Sequence, residues 1–181
     1  MNSNPVYTIG YGARAMGDFM TLLKAHNIAY LIDVRSEPYS QYKPEFSKDA
    51  LTQQLNKNGI KYVFMGDTLG GRPSDPSCYR EGKIVYGEVE KRPFYQKGIA
   101  RLQSAHGQGL PVALMCSEGK PEQCHRSRLI GETLLGAGIP IAHIDENGEL
   151  RTQEEVRQRT QPSQQQPSSE LVEDRGGEGE G

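Results

Sequence analysis

The chain has 181 residues, of which 35% are hydrophobic and 24% charged, and its formal net charge is −2 at pH 7. This composition predicts one ordinary globular domain with a buried core, and so small a charge does not by itself indicate nucleic-acid binding. No apolar run approaches the length of about eighteen residues that a membrane span needs, no secretory leader is recognisable, and three cysteines do not suggest a disulfide scaffold, so we expect a cytoplasmic protein.

The first third of the chain alternates between strand and helix patterns. An apolar run at 6–12 that ends in glycines predicts a strand, and residues 15–26 place methionine, phenylalanine and leucine on one helical face. A second strand is predicted at 29–36. The segment 47–58, which begins with a capping serine and stops before a glycine, predicts a second helix, and 61–66 a third strand.

The same alternation continues after a long polar segment. Residues 67–85 are rich in glycine and proline and predict a loop, and 93–106 predict a helix. A strand at 111–118 and a helix at 125–137 follow. The last apolar run, 140–148, predicts a strand or a strand and its turn.

This pattern predicts a three-layer α/β sandwich. Nearly continuous apolar strands alternating with helices are typical of a mostly parallel sheet, here of about five strands and Rossmann-like, that is covered on both faces. We assign residues 1–151 to this single domain. Residues 152–181 are rich in Gln, Pro, Ser, Gly and Glu, and we expect them to be a polar, largely disordered tail.

Ligands of such sheets bind outside the carboxyl ends of the strands. Three of the predicted strand exits carry ionisable or reactive groups, at 33–35, 65–67 and 116–118, and a fourth, at 10–12, carries glycines. Because alternate residues share a face of a strand, Asp33 with Arg35 and Cys116 with Glu118 should project together if the two strands are neighbours.

The segment 116–128, CSEGKPEQCHRSR, contains two of the three cysteines. A zinc site is disfavoured, because seven residues separate Cys116 from Cys124, whereas zinc knuckles usually have about two to four. A cysteine-phosphatase loop would need arginine where Glu122 or Ile130 stands. A helix that begins near Cys124 instead predicts an anion site with an activated thiol beside His125. The alternative is structural, with the cysteine of the strand packed simply as a small hydrophobic residue.

Two further segments allow both functional and structural interpretations. The sequence GYGARA, with Asp33 after the next strand, fits the spacing of a dinucleotide-binding turn, but a plain glycine turn with an ion pair between Asp33 and Arg35 is favoured, and no cofactor is predicted. The loop from 67 to 83 is either a binding loop or a solvated connector, and Cys78 in its polar middle should be exposed.

Several short motifs together resemble a bacterial and archaeal family called domain of unknown function 488. They are TIGYG, DVRSEPYS, LGGRP and LMCSEGKPEQCHRSRLI, and the resemblance spans residues 6 to about 150. It implies an α/β sandwich with one shared pocket and weakens the dinucleotide interpretation, but it implies no reaction. The positions carried over are Gly10, Asp33, Arg35, Pro38, Gly70, Gly71, Cys116, Glu118, Cys124, His125 and Arg126.

The favoured hypothesis is an enzyme that acts on a phosphate-bearing or other anionic, nucleotide-like ligand, with nucleic acid possible but not indicated by charge. Asp33 or Glu118 would be the general base, and Cys124 with His125 the nucleophile or proton shuttle. A second hypothesis is a binding module without chemistry, and a third is a thiol-redox protein that uses Cys116 and Cys124. No metal is predicted. The residues expected to bind the ligand are Gly10, Tyr11, Arg35, Gly70, Gly71, Arg72, Cys116 and Arg126.

Overall fold

The computed structural model describes residues 4–160. The strands are β1 (Val6–Gly10), β2 (Tyr30–Asp33), β3 (Lys61–Phe64), β4 (Tyr79–Arg80), β5 (Lys83–Ile84), β6 (Val112–Cys116), β7 (Ile141–Ile144) and β8 (Leu150–Thr152). The α-helices are α1 (Met16–Ala25), α2 (Lys48–Lys57), α3 (Gly66–Leu69), α4 (Tyr86–Glu90), α5 (Pro93–Gly107), α6 (Glu132–Gly136) and α7 (Gln153–Thr160). A π-helix at Arg126–Gly131 runs directly into α6.

Six strands form one sheet in the order β3-β2-β6-β1-β7-β8. Every neighbouring pair is parallel except β7 with β8, which is antiparallel. The predicted, mostly parallel α/β sandwich is therefore confirmed, with one more strand than the sequence indicated. Strand β6 lies between β1 and β2, so the polar segment after β6 has the exits of both other strands beside it.

Two apolar cores cover the faces of this sheet. One contains the buried faces of α1 and α2, including Phe19, Leu23 and Leu51, and the other contains α5 and the π-helix, including Leu102 and Ile130. Residues on both faces of the central strands are buried, which explains why these strands appear in the sequence as continuous apolar runs.

The segment from 67 to 85 contains short elements where a plain loop was expected. It begins within α3, makes a 3-10 turn at Pro76–Cys78 and closes with the β4–β5 hairpin. The expectation that Cys78 is exposed was wrong, since its side chain is 0% exposed and belongs to a core. Asp75 accepts hydrogen bonds from the backbone and hydroxyl of Ser77, and this turn directs the sulfur of Cys78 inward.

Residues 153–160, which the sequence placed in the polar tail, form helix α7. Val156 on this helix is buried, and Arg159 pairs with the buried carboxylate of Asp145 at 2.8 Å. The helix was missed because one aliphatic residue in eight gives no periodic apolar signal. The remainder of the predicted tail, 161–181, lies outside the described residues.

Candidate active site

The exits of β1, β2 and β6 meet at one edge of the sheet. Gly10 is paired with Cys116 and Asp33 with Met115, so the polar residues that follow these strands are brought together, as the sequence predicted. They open on a cleft of about 590 Å³. The side chains and backbone that line it belong to Tyr11, Arg35, Ser36, Glu37, Tyr39, Gly71, Arg72, Tyr86, Cys116, Ser117, Glu118, Gln123, Cys124 and His125.

The glycine turn after β1 packs against the segment after β6. Tyr11 and Gly12 donate backbone hydrogen bonds to the carbonyl oxygens of Cys116 and Ser117, and a Cβ on Gly10 would lie 1.7 Å from the carbonyl oxygen of Glu118. Protein backbone therefore fills the space that a pyrophosphate would need against such a turn. Gly10 serves close packing, and the ring of Tyr11, stacked on Phe46, forms part of the cleft wall.

Asp33 lies behind Arg35 and holds it in place. Its two carboxylate oxygens accept hydrogen bonds from Nε and Nη2 of Arg35 at 2.9 and 2.8 Å, and from the Tyr62 hydroxyl at 2.6 Å. Burial disfavours the charge on Arg35, but the hydrogen bonds and charge of Asp33 outweigh it and raise the pKa of the guanidinium. With its oxygens engaged and no exposure, Asp33 positions Arg35, and the arrangement does not favour the predicted role of general base.

Arg35 carries an N–H group that the protein leaves without a partner. The residue is 6% exposed and lines the cleft, and its Nη1 is buried with no hydrogen-bond acceptor among the described residues. A buried donor of this kind costs about 1–3 kcal/mol when it is unsatisfied. Such a donor beside a cleft calls for a partner, which an ordered water molecule or a ligand oxygen can supply.

His125 is oriented as a base towards Cys124. Its Nε2 lies 2.9 Å from the carbonyl oxygen of Val34, which can only accept, so Nε2 carries the proton of the neutral ring. Nδ1 is then free to accept, and it lies 3.6 Å from the sulfur of Cys124. Burial lowers the pKa of His125, which keeps the ring neutral.

The sulfur atoms of Cys116 and Cys124 are 2.6 Å apart, and the two thiols differ in acidity. A hydrogen bond from Cys116 and the nearby charge and hydrogen bonds of Arg126 outweigh burial and lower the pKa of Cys124 to about 7. Burial raises the pKa of the Cys116 thiol well above its ordinary value. Of the two sulfurs, Cys124 is therefore the thiolate near neutral pH.

Arg126 lies under the site rather than in it. The residue is 0% exposed, and its guanidinium donates to the Thr8 hydroxyl, the sulfur of Cys116 and the carbonyl oxygens of Glu118 and Gly119. These contacts do not favour the predicted anion-binding role, because its donors are occupied. A cation in the first turn of a helix interacts unfavourably with the helix dipole. The sulfur and carbonyl oxygens that accept from Arg126 offset this cost.

Of the remaining predicted residues, Gly71, Arg72 and Glu118 line the cleft, whereas Gly70 is buried beside it and does not. A Cβ on Gly71 would come within 3.0 Å of His125 Nδ1, and one on Gly70 within 2.3 Å of Ser36 Oγ, so both glycines allow the loop after α3 to approach the site closely. The side chain of Arg72 is exposed at the mouth of the cleft. Glu118 is also exposed, and its carboxylate accepts the backbone N–H of Lys120 at 3.2 Å.

A buried hydrogen-bonded chain behind the site was not predicted. The hydroxyl of Thr8 lies 2.6 Å from His143 Nδ1, and His143 Nε2 lies 2.6 Å from the side-chain oxygen of Gln153. Polar residues inside the apolar strands β1 and β7 were the available signal. The sequence analysis also did not assign six residues that line the cleft: Ser36, Glu37, Tyr39, Tyr86, Ser117 and Gln123. All except Tyr86 lie within the motifs that carry the family resemblance, which was the available signal.

A family model described as domain of unknown function DUF488 matches residues 15–132, more than half of the chain. The chain belongs to this family. The DUF488 match includes Asp33, Arg35, Cys116, Cys124 and His125, so the cleft is built largely from the segment that defines the family. No curated protein matches the chain significantly.

Two classes of feature are absent from residues 4–160. No three His, Cys, Asp or Glu side chains are grouped as a metal ion would require. Within the same range, no helix has the length and apolar character needed to cross a membrane.

Proposed function

We propose that this DUF488 protein is an enzyme whose cleft binds a small phosphate-bearing or otherwise anionic substrate, which Cys124 attacks as a nucleophile. The observation that carries the proposal is that Arg35, whose Nη1 has no hydrogen-bond partner among the described residues, and Cys124 line the same cleft. A cation aimed at a ligand and an activated thiol in one cavity are the two groups that such a reaction needs.

Arg35 supports the anion-binding half of the proposal. Because Asp33 fixes two of its nitrogens, the guanidinium presents Nη1 in one orientation, and an anionic oxygen there makes a charge-assisted hydrogen bond. Arg72 at the mouth adds a second positive charge that attracts the ligand. The tyrosine rings of the cleft give the uncharged part of a nucleotide-like ligand an aromatic surface on which to lie.

Cys124 and His125 support the part of the proposal that concerns nucleophilic attack. His125 Nδ1 accepts the thiol proton, and the thiolate forms a bond to the electrophilic phosphorus or carbonyl carbon of the substrate. As that bond forms, the bond to the leaving oxygen breaks, and this oxygen takes the proton from His125. Water then cleaves the thioester or thiophosphate and releases the second product.

A binding module without chemistry is the alternative, and the low exposure of Cys124, 5%, favours it. The two functions separate in one variant, Cys124→Ser. If the protein is an enzyme, this variant loses turnover but keeps the stabilisation that inorganic phosphate gives to the folded protein. If the protein only binds its ligand, the variant keeps that stabilisation and the unaltered protein already shows no turnover.

Paired alkylating reagents test the proposal without a known substrate. Iodoacetamide is neutral and alkylates ordinary thiols faster than the anionic iodoacetate does. If the cleft recruits anions to Cys124, iodoacetate should be the faster reagent there, and inorganic phosphate should slow it selectively. Rates at each cysteine are measured by mass spectrometry of the native full-length protein.

Arg72→Ala should remove most of the preference for iodoacetate and leave the iodoacetamide rate within about twofold, because the exposed side chain acts through its charge. Arg101→Ala, an exposed arginine on α5 outside the cleft, is the matched control and should change neither rate. Reaction of Cys124 in the ordinary order, with no effect of phosphate, would contradict the proposal.

A further inference from the structure

The site contains two cysteine sulfurs in contact, although a nucleophilic cysteine needs no second thiol beside it. Cys116 ends β6 and Cys124 precedes the π-helix, and the fold brings their sulfur atoms to 2.6 Å. Both residues line the cleft and are 3% and 5% exposed, so the cleft is the route by which a small reagent such as hydrogen peroxide reaches the sulfurs.

We infer that Cys116 and Cys124 form a reversible disulfide in response to small hydroperoxides, with Cys124 as the attacking sulfur and Cys116 as the resolving one. The Cys124 thiolate attacks one peroxide oxygen, the O–O bond breaks, and the leaving hydroxide takes a proton from solvent and departs as water. The Cys116 thiol then displaces the hydroxyl of the sulfenic acid as water. The two sulfurs lose two electrons together, and the peroxide gains them.

The order of the two sulfurs follows from their surroundings. Cys124 lies 3.6 Å from His125 Nδ1, whereas Cys116 ends β6, is the less exposed of the two and can donate its thiol proton towards Cys124. Attack therefore begins at Cys124, where the thiolate forms, and the neutral Cys116 thiol is adjacent to resolve the product.

Arg126 makes the disulfide easy to reduce. Its buried guanidinium faces both sulfurs, and the Cys124 thiolate is the anion that compensates its charge. Oxidation to a disulfide removes that negative charge and leaves the cation with neutral partners only. A reduced form stabilised in this way makes a dithiol pair oxidising, so glutathione should restore the thiols readily.

The consequence for catalysis rests on the proposed function. The disulfide consumes the nucleophile while leaving Arg35 and Arg72 unchanged, so oxidation should abolish reaction with iodoacetate but preserve stabilisation by inorganic phosphate. Anion selectivity and disulfide formation are measured independently, so a failure of one is distinguishable from a failure of the other.

Peroxide treatment followed by tryptic mass mapping tests the inference on the full chain. The Lys120–Pro121 bond resists trypsin, so one peptide, 102–126, contains both cysteines, and Cys78 falls in another. We expect the 102–126 peptide to lose two hydrogens within minutes at micromolar hydrogen peroxide and to regain them with glutathione. Cys78, which is 0% exposed, should stay reduced.

Two variants assign the roles. In Cys116→Ala, Cys124 should gain one and then two oxygens and be trapped by dimedone, because no thiol resolves the sulfenic acid. In Cys124→Ser, Cys116 should remain reduced. A monoarsenical that bridges two adjacent thiols provides a check without oxidant and should bind the unaltered protein but neither variant. Uptake of oxygen at Cys124 without loss of hydrogens in the unaltered protein, or oxidation of Cys78 at the same rate, would overturn the inference.

Discussion

At the scale of single residues, the pKa of Cys124 determines when the site reacts. Because that pKa is about 7, below the ordinary value of 9.0, the thiolate population rises as pH increases through neutrality and is nearly complete above about pH 8. We predict that alkylation of Cys124 by iodoacetamide follows a single titration with a midpoint near pH 7. The measurement is the rate at each pH by mass spectrometry, with Cys116 and Cys78 as internal references. A midpoint near 9 would mean that Arg126 and Cys116 do not stabilise the thiolate.

The sequence predicted which residues come together at the site better than it predicted what each one does. Asp33, Arg35 and Cys116 were placed correctly at neighbouring strand exits, because a parallel sheet fixes which ends meet. The direction of a side chain from a loop or a helix start is set by tertiary contacts instead. Arg126 was therefore expected in the cleft, whereas Thr8 and two backbone carbonyl oxygens hold it beneath.

At the scale of elements, the contact between the exits of β1 and β6 depends on a missing side chain. We predict that Gly10→Ala destabilises the fold by more than about 4 kcal/mol or prevents folding, because its Cβ would overlap the carbonyl group of Glu118 and approach Arg126 Nη1 at 2.9 Å. Gly17→Ala, within α1 and with no atom within 4 Å of the added Cβ, is the matched control. It should stabilise the protein by about 0.5–1 kcal/mol. Chemical denaturation of both variants gives the comparison, and a mild effect at Gly10 would show that the two loops can separate.

Elements with periodic apolar faces were predictable, and elements held by polar contacts were not. Helices α1 and α5 and the five parallel strands were all identified within a few residues of their observed bounds, because burial against the sheet selects their pattern. Strand β8 and helix α7 are held to β7 and Asp145 by backbone pairing, ion pairs and one buried valine. Such contacts depend on partners distant in sequence, so no local periodic pattern predicts them.

At the scale of the whole molecule, a buried histidine couples stability to pH. Burial lowers the pKa of His143 from 6.5 to about 4, so between these values the unfolded chain binds a proton that the folded protein excludes. The free energy of unfolding should therefore fall as pH is lowered from about 6.5 to 4, by up to about 3 kcal/mol. Two charged groups also act on this pKa: Arg126 lowers it and Glu132 raises it. His143→Gln, whose amide nitrogen can replace the Nε2 donor to Gln153, should remove the His143 part of this slope in denaturation measured across that pH range, and an unchanged slope would assign the acid sensitivity to other groups.

The carboxyl-terminal contacts of the domain define how much of the chain the fold needs. The contacts of α7 include the hydrogen bond from Gln153 to Glu132, the burial of Val156 and the pairing of Arg159 with Asp145. We predict that removal of residues 161–181 changes the melting temperature by less than about 2 °C, whereas removal of 153–181 lowers it by about 10 °C, since several buried groups lose their partners. Val156→Ala in the otherwise complete chain isolates the apolar part of this effect and should cost about 2 kcal/mol. A large loss on removing 161–181 alone would mean that this segment packs on the domain, and equal melting temperatures for the two truncations would mean that α7 contributes nothing to its stability.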